Sequence, residues 1–139
     1  MEMERVKGRY SDWEERRKVS RIKDNILIFC KLKDDYRIIE WIAKDISDRG
    51  LRFEGDRFVP PSTFMEIEIY QPLDFFKSRI VSIYVLAKVV WIKGIEKRKK
   101  YKGSNKYFGG VKFTKIRKRD RDIILKYVKE RIRKKEYSS

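Results

Sequence analysis

The chain has no histidine and a single cysteine, Cys30. Without histidine it lacks the usual general base and the commonest metal ligand, and one thiol makes neither a zinc set nor an internal disulfide. Neither Gly-x-Gly-x-x-Gly nor a P-loop occurs among its seven glycines, so two common phosphate cradles are missing. No apolar run approaches the ~20 residues that span a bilayer. The N-terminus, Met1-Glu2-Met3-Glu4, is acidic and has no apolar signal region, which points to a cytoplasmic protein. Asp34-Asp35 reads as a charged hairpin turn in preference to a magnesium site. These absences favour a binding module over an enzyme, with no cofactor and no metal.

What is present describes one folded domain. A chain of 139 residues with 41% hydrophobic and 14% aromatic residues is large enough for a single core. Cys30 lies in an apolar run and reads as a small core residue. The net charge of +16 is concentrated late. Residues 1–92 hold 18 basic and 16 acidic side chains, whereas residues 93–139 hold 19 and 5. Such a surface attracts polyanions, be they nucleic acid, anionic lipid or an acidic protein face, and it also serves solubility.

Six strand-like runs follow a polar segment of 22 residues: Asn25–Leu32, Arg37–Ile46, Gly50–Glu54, Thr63–Gln71, Ile80–Ile92 and Tyr107–Ile116. Met65-Glu66-Ile67-Glu68-Ile69-Tyr70 alternates as a half-buried strand does. Short strands with little helix between them favour a small antiparallel barrel or sandwich. The period then changes. Ile123, Ile124, Tyr127, Val128 and Ile132 form one apolar stripe of a helix over Lys118–Lys135, its acids Asp120 and Asp122 in the first turn and Arg133, Lys134 and Lys135 in the last.

Two polar signatures carry the chemistry. Arg16-Arg17-Lys18-Val19-Ser20-Arg21 concentrates guanidinium groups, which bind phosphates bidentately. Alone, its Arg-x-x-x-Arg spacing is weak, because Arg5/Arg9 and Arg117/Arg121 share it. Asp45-Ile46-Ser47-Asp48-Arg49-Gly50 is scarcer: it sets a carboxylate, a hydroxyl and a glycine suited to positive φ after an apolar strand. The bland reading is an Asx or Ser turn between strands. A carboxylate can also accept from the guanine N1–H and N2–H pair. A ligand both anionic and guanine-bearing would satisfy both signatures.

In order and spacing these motifs resemble the PilZ family, whose members are mostly cyclic di-GMP receptors. Arg17 and Arg21 match its Arg-x-x-x-Arg loop, with Arg16 before them, and Asp45, Ser47 and Gly50 match its Asp/Asn-x-Ser-x-x-Gly motif. Lys88-Val89-Val90-Trp91 resembles the late strand ending in Trp, and Gly110-Val111-Lys112-Phe113 the closing strand before a helix. The likeness covers residues 14–134 and departs only in the long basic connection Gly94–Lys106. It implies a mainly β fold, a small six-stranded antiparallel β-barrel with a C-terminal α-helix packed on it. The parts are an N-terminal arm (1–15), the domain (16–135) and a tail (136–139).

The same resemblance implies a bacterial second-messenger receptor binding cyclic di-GMP on the outside of the barrel. Arg17 and Arg21 would close over it from the arm, holding phosphates or stacking on guanine. Asp45 would take the guanine edge, Ser47 would donate to a phosphate or base oxygen, and Gly50 would let backbone approach. Arg16 would reach a second nucleotide of an intercalated dimer, and Trp91 is either a further site residue or rim packing. Ordering of the arm would signal to a protein partner in motility, secretion or polysaccharide synthesis, with the basic C-terminal third as the partner-facing surface. The alternative is a small basic β-barrel that binds nucleic acid non-specifically, using Tyr101 and Tyr107 beside Lys100, Lys102 and Lys106.

Overall fold

The computed structural model describes residues 22–33, 35, 37–74, 76–95 and 106–138. Their alternating patterns fold into six strands: β1 (Ile22–Leu32), β2 (Ile38–Ile46), β3 (Gly50–Gly55), β4 (Phe64–Pro72), β5 (Ile80–Ile95) and β6 (Lys106–Lys115). One helix, α1 (Lys118–Ser138), follows. All pairings are antiparallel, and the order β1-β2-β3-β6-β5-β4 closes by pairing β4 with β1. The barrel and its C-terminal helix are those expected from the sequence. Three boundaries move by three residues. β1 begins at Ile22 and not at Asn25, β5 stays paired with β6 as far as Ile95↔Lys106, which absorbs Gly94 into the strand, and α1 continues through residues 136–138, where the sequence suggests a tail.

Inward side chains fill the barrel with branched aliphatics such as Ile28, Ile67, Ile69 and Ile83, together with Cys30. Burial pushes the Cys30 thiol pKa up, so it is an inert core residue. Trp41 stacks on Phe53 at 3.9 Å with planes 3° apart. Complete burial of each such aliphatic or aromatic side chain is worth about 1.5–3 kcal/mol. The apolar stripe of α1 places Ile124, Tyr127 and Val128 in the same core. Asp120, in its first turn, accepts from Arg117 Nε at 3.2 Å. Among the described residues no helix is long and apolar enough to cross a membrane.

Candidate functional site

The Asp45–Gly50 segment joins β2 to β3 as a turn built by its own side chains. The Ser47 N–H donates to the Gly50 carbonyl at 2.9 Å. The Ser47 hydroxyl donates to that same carbonyl at 3.3 Å and accepts from the Arg49 N–H at 3.1 Å. The Phe113 N–H then donates to the Arg49 carbonyl at 2.8 Å, fastening the turn to β6. Of the two reasons expected for Gly50, positive φ and close backbone approach, the structure shows a close approach, made by β6. Its φ is outside the left-handed region, but a Cβ there would stand 2.2 Å from the Val111 carbonyl oxygen. The demand is steric: β3 and β6 approach too closely for a side chain.

Beside the turn, cross-strand pairing forms one continuous row: Lys23↔Asp45, Asp45↔Arg52, Arg52↔Gly110 and Gly110↔Trp91. Directly paired residues share a face, and exposed Arg52 marks this one as the outer face. Bulges create the row. Lys44 is an extra residue between Ala43↔Phe53 and Asp45↔Arg52, and Val90 is extra between Val89↔Val111 and Trp91↔Gly110. β1 irregularly sets Asp24 and Asn25 against Lys44. Strict alternation from buried Ala43 and Val89 would send Asp45 and Trp91 inward. Each bulge turns them outward.

An open groove of about 450 Å³ lies along the row, lined by Lys23, Asp24, Asn25, Lys44, Asp45, Arg52 and Phe108. That volume is in the range of small-molecule sites. Asp45 is only 4% exposed, and its Oδ2 accepts from Arg52 Nε at 2.5 Å. Trp91 lies over Gly110, where a Cβ would come within 2.5 Å of its Nε1. Its ring meets Phe108 edge-on, centroids 5.9 Å apart, and Lys93 Nζ stands 5.9 Å from the ring centre. The outer row therefore combines a carboxylate, cations and aromatic surface. Such a set can hold a planar, anionic ligand with hydrogen-bond donors on its edge. Among the described residues no group of acidic or thiol side chains could hold a metal ion.

At the lip of the groove, Asp24 is a junction between elements. It accepts from Lys77 Nζ at 2.5 Å, from the Asn25 N–H at 2.8 Å and from the Tyr127 hydroxyl of α1. Partial burial pushes the Asp24 pKa up, but the bonds from Lys77, Tyr127 and Asn25 outweigh it and leave the carboxyl below its ordinary value. Burial, then the bond to Asp24, raises the Tyr127 pKa.

Of the residues singled out by sequence, Asp45 and Trp91 stand on the one row, and Ser47 and Gly50 form the adjoining turn. Arg16, Arg17 and Arg21 lie outside the described residues. Sequence reading missed Lys23, Asn25, Lys44, Arg52, Phe108 and Gly110. A signal existed for Gly110: paired glycines, Gly109-Gly110, inside a strand mark a close approach. The groove residues on β1 and Arg52 carry no such mark, because strand register alone brings them to Asp45.

The PilZ domain family model matches residues 15–130. Among solved structures, the Bacillus subtilis inhibitor of motility MotI/DgrA is similar with a TM-score of 0.63 and 15% identity, over 85% of this chain and 50% of that one. The PilZ domain of Escherichia coli YcgR with c-di-GMP gives a TM-score of 0.57 at 14% identity, covering 86% and 95%. Borreliella burgdorferi PlzA in complex with c-di-GMP gives 0.58 at 11%, covering 96% and 59%. The chain thus spans half the length of MotI and about three fifths that of PlzA. At these identities the likeness is one of fold. A search of curated protein sequences finds no match.

Proposed function

The chain belongs to the PilZ domain family, and on that premise we propose that it is a cyclic di-GMP receptor that signals to a protein partner without catalysing a reaction. One observation carries the proposal: the bulged row that turns Asp45 and Trp91 outward, beside the Ser47–Gly50 turn, along a groove of ligand size. Asp45 takes the guanine edge, two donors meeting one carboxylate. Arg52, already on Asp45 at 2.5 Å, keeps that carboxylate oriented, and it stands on the row where a phosphate would pass. Phe108 supplies the apolar wall of the groove, and Trp91 packs edge-on against it. Ser47 and Gly50 hold the turn in shape, and the Ser47 hydroxyl, buried and donating to the Gly50 carbonyl, reaches a ligand only by giving up that bond.

Arg17 and Arg21 close over the ligand from the arm, and Arg16 reaches a second nucleotide where two are stacked. Closure costs nothing to maintain only while the ligand's phosphates offset the repulsion among these guanidinium groups, so ligand and arm position are linked. The rearranged surface is what a partner in motility, secretion or polysaccharide synthesis reads, with the basic C-terminal third as the surface it faces. The nucleic-acid alternative loses ground: Tyr107 is half-buried with its ring 5.7 Å from that of Phe58, and Lys106 Nζ bonds Glu54 at 2.6 Å. Neither is an open stacking platform or a free phosphate contact.

Isothermal titration with cyclic di-GMP, with GTP and a short RNA as controls, tests this reading. Micromolar or tighter binding of the cyclic dinucleotide alone supports it. Silence toward it, with RNA binding that falls steeply with salt, overturns it.

A further inference from the structure

Two irregular stretches face each other across β1 and β2. In β2, Lys44 is the residue added before Asp45, and in β1, Asp24 and Asn25 fall between the paired residues Lys23 and Ile26. Strict alternation sends successive residues of a strand to opposite faces. Here Lys23, Asp24 and Asn25 all line the groove, and so do Lys44 and Asp45. Consecutive charged side chains therefore meet in one place. Lys23 is the cross-strand partner of Asp45 and Lys44 its chain neighbour, so the two lysines flank that carboxylate from two sides. The charges do not cancel. Asp45 pairs with Arg52 at 2.5 Å and Asp24 with Lys77 at 2.5 Å, so each carboxylate has its own cation. Lys23 and Lys44 have no carboxylate partner among the described residues. Depth separates the groups as well: Asp45 is nearly buried, whereas Lys23 is exposed and Lys44 half-buried.

We propose that Lys23 and Lys44 form a phosphate subsite on the β1–β2 wall of the groove, which takes the phosphodiester groups of a dinucleotide whose base edge lies on Asp45. The two surplus ammonium groups match the two phosphodiesters of cyclic di-GMP in number, and a neutral ligand would leave both uncompensated. An ammonium is a compact charge with rotatable donors on a flexible stem, which suits a phosphate passing at the rim. The planar base edge is left to the carboxylate fixed at the floor. Naming the bearer of these phosphates rests on the cyclic di-GMP reading above, whereas the anion site itself rests on the charge of the groove.

The test titrates the full chain with cyclic di-GMP by calorimetry at low and at high salt. Lys23→Gln/Lys44→Gln weakens binding by about tenfold, as expected for two solvent-reached charge contacts together. It also flattens the decline of affinity with salt, because screening acts on the charges removed. Lys31→Gln/Lys115→Gln takes the same charge from elsewhere on the barrel and leaves affinity within about twofold. An unchanged urea midpoint establishes that each variant folds. Equal losses in the two variants, or no loss in the first, overturn the subsite. Inorganic pyrophosphate, added to the isotopically labelled chain, separates this proposal from the receptor reading. If the chain ignores cyclic di-GMP, yet pyrophosphate moves the Lys23 and Lys44 amides and Lys23→Gln/Lys44→Gln abolishes those shifts, the receptor reading falls and the subsite stands. With no response to either probe, both fall.

Discussion

Asp45 Oδ2 accepts from Arg52 Nε at 2.5 Å, across the two strands joined by the Ser47–Gly50 turn. The carboxylate is nearly buried whereas the guanidinium side chain is 44% exposed. The carboxylate thus lies at the floor of an outward-facing groove, held by a partner that solvent reaches. Binding and stability should therefore respond differently to its removal.

Asp45→Ala is expected to lower cyclic di-GMP affinity by about tenfold to a hundredfold, the value of charge-assisted bonds to the guanine edge. The stability loss should stay below about 1 kcal/mol, because solvent can take over the exposed Arg52. Titration calorimetry and urea unfolding of the same variant check the two halves.

Gly50→Ala should cost stability first. Its Cβ would meet a backbone oxygen at 2.2 Å, which no side-chain rotation relieves. A loss of about 2 kcal/mol or more is expected in urea unfolding, as for other overpacked sites.

Gly110→Ala meets a side chain instead, the Trp91 indole at 2.5 Å. The half-buried ring can shift, so the stability cost should be about 1 kcal/mol. Displacing it from Phe108 should alter the indole fluorescence and weaken ligand binding in parallel. A shifted emission with unchanged affinity would remove Trp91 from the site.

The Asp24–Tyr127 bond sets a two-sided pH dependence. Asp24 has a lowered folded pKa, so its contribution is present above the unfolded carboxylate value of 3.8 and is lost as pH falls through the lower folded value. Tyr127 has a raised folded pKa, so its contribution is complete below the unfolded value of 10.0 and is lost as pH rises beyond it. Tyr127→Phe should reduce stability by about 1 kcal/mol near neutrality. It should also flatten the decline above pH 10.0, measured by thermal unfolding across the range.

Period and turn residues made the six strands and α1 legible in sequence, because inner aliphatics such as Ile67 and Ile69 alternate with outer Glu66 and Glu68. The motif also placed Asp45 and Ser47 at a strand end. Hidden from sequence were the bulges at Lys44 and Val90, because an extra residue leaves no mark in composition yet reverses which face follows it. Arg52, Phe108 and Lys23 were missed for the same reason: their nearness to Asp45 is a matter of register between strands. The positive φ expected at Gly50 was an error of mechanism, since neighbouring backbone and not dihedral freedom demands glycine there.

The most direct measurement is the map of amide and indole shifts in the labelled full chain on titration with cyclic di-GMP. The expected result is saturable shifts at Asp45, Ser47, Arg52, Gly110 and the Trp91 indole, with the face around Glu66 unmoved. Shifts confined to the basic face of α1, fading as salt is added, would contradict the assignment of the bulged row as the ligand site.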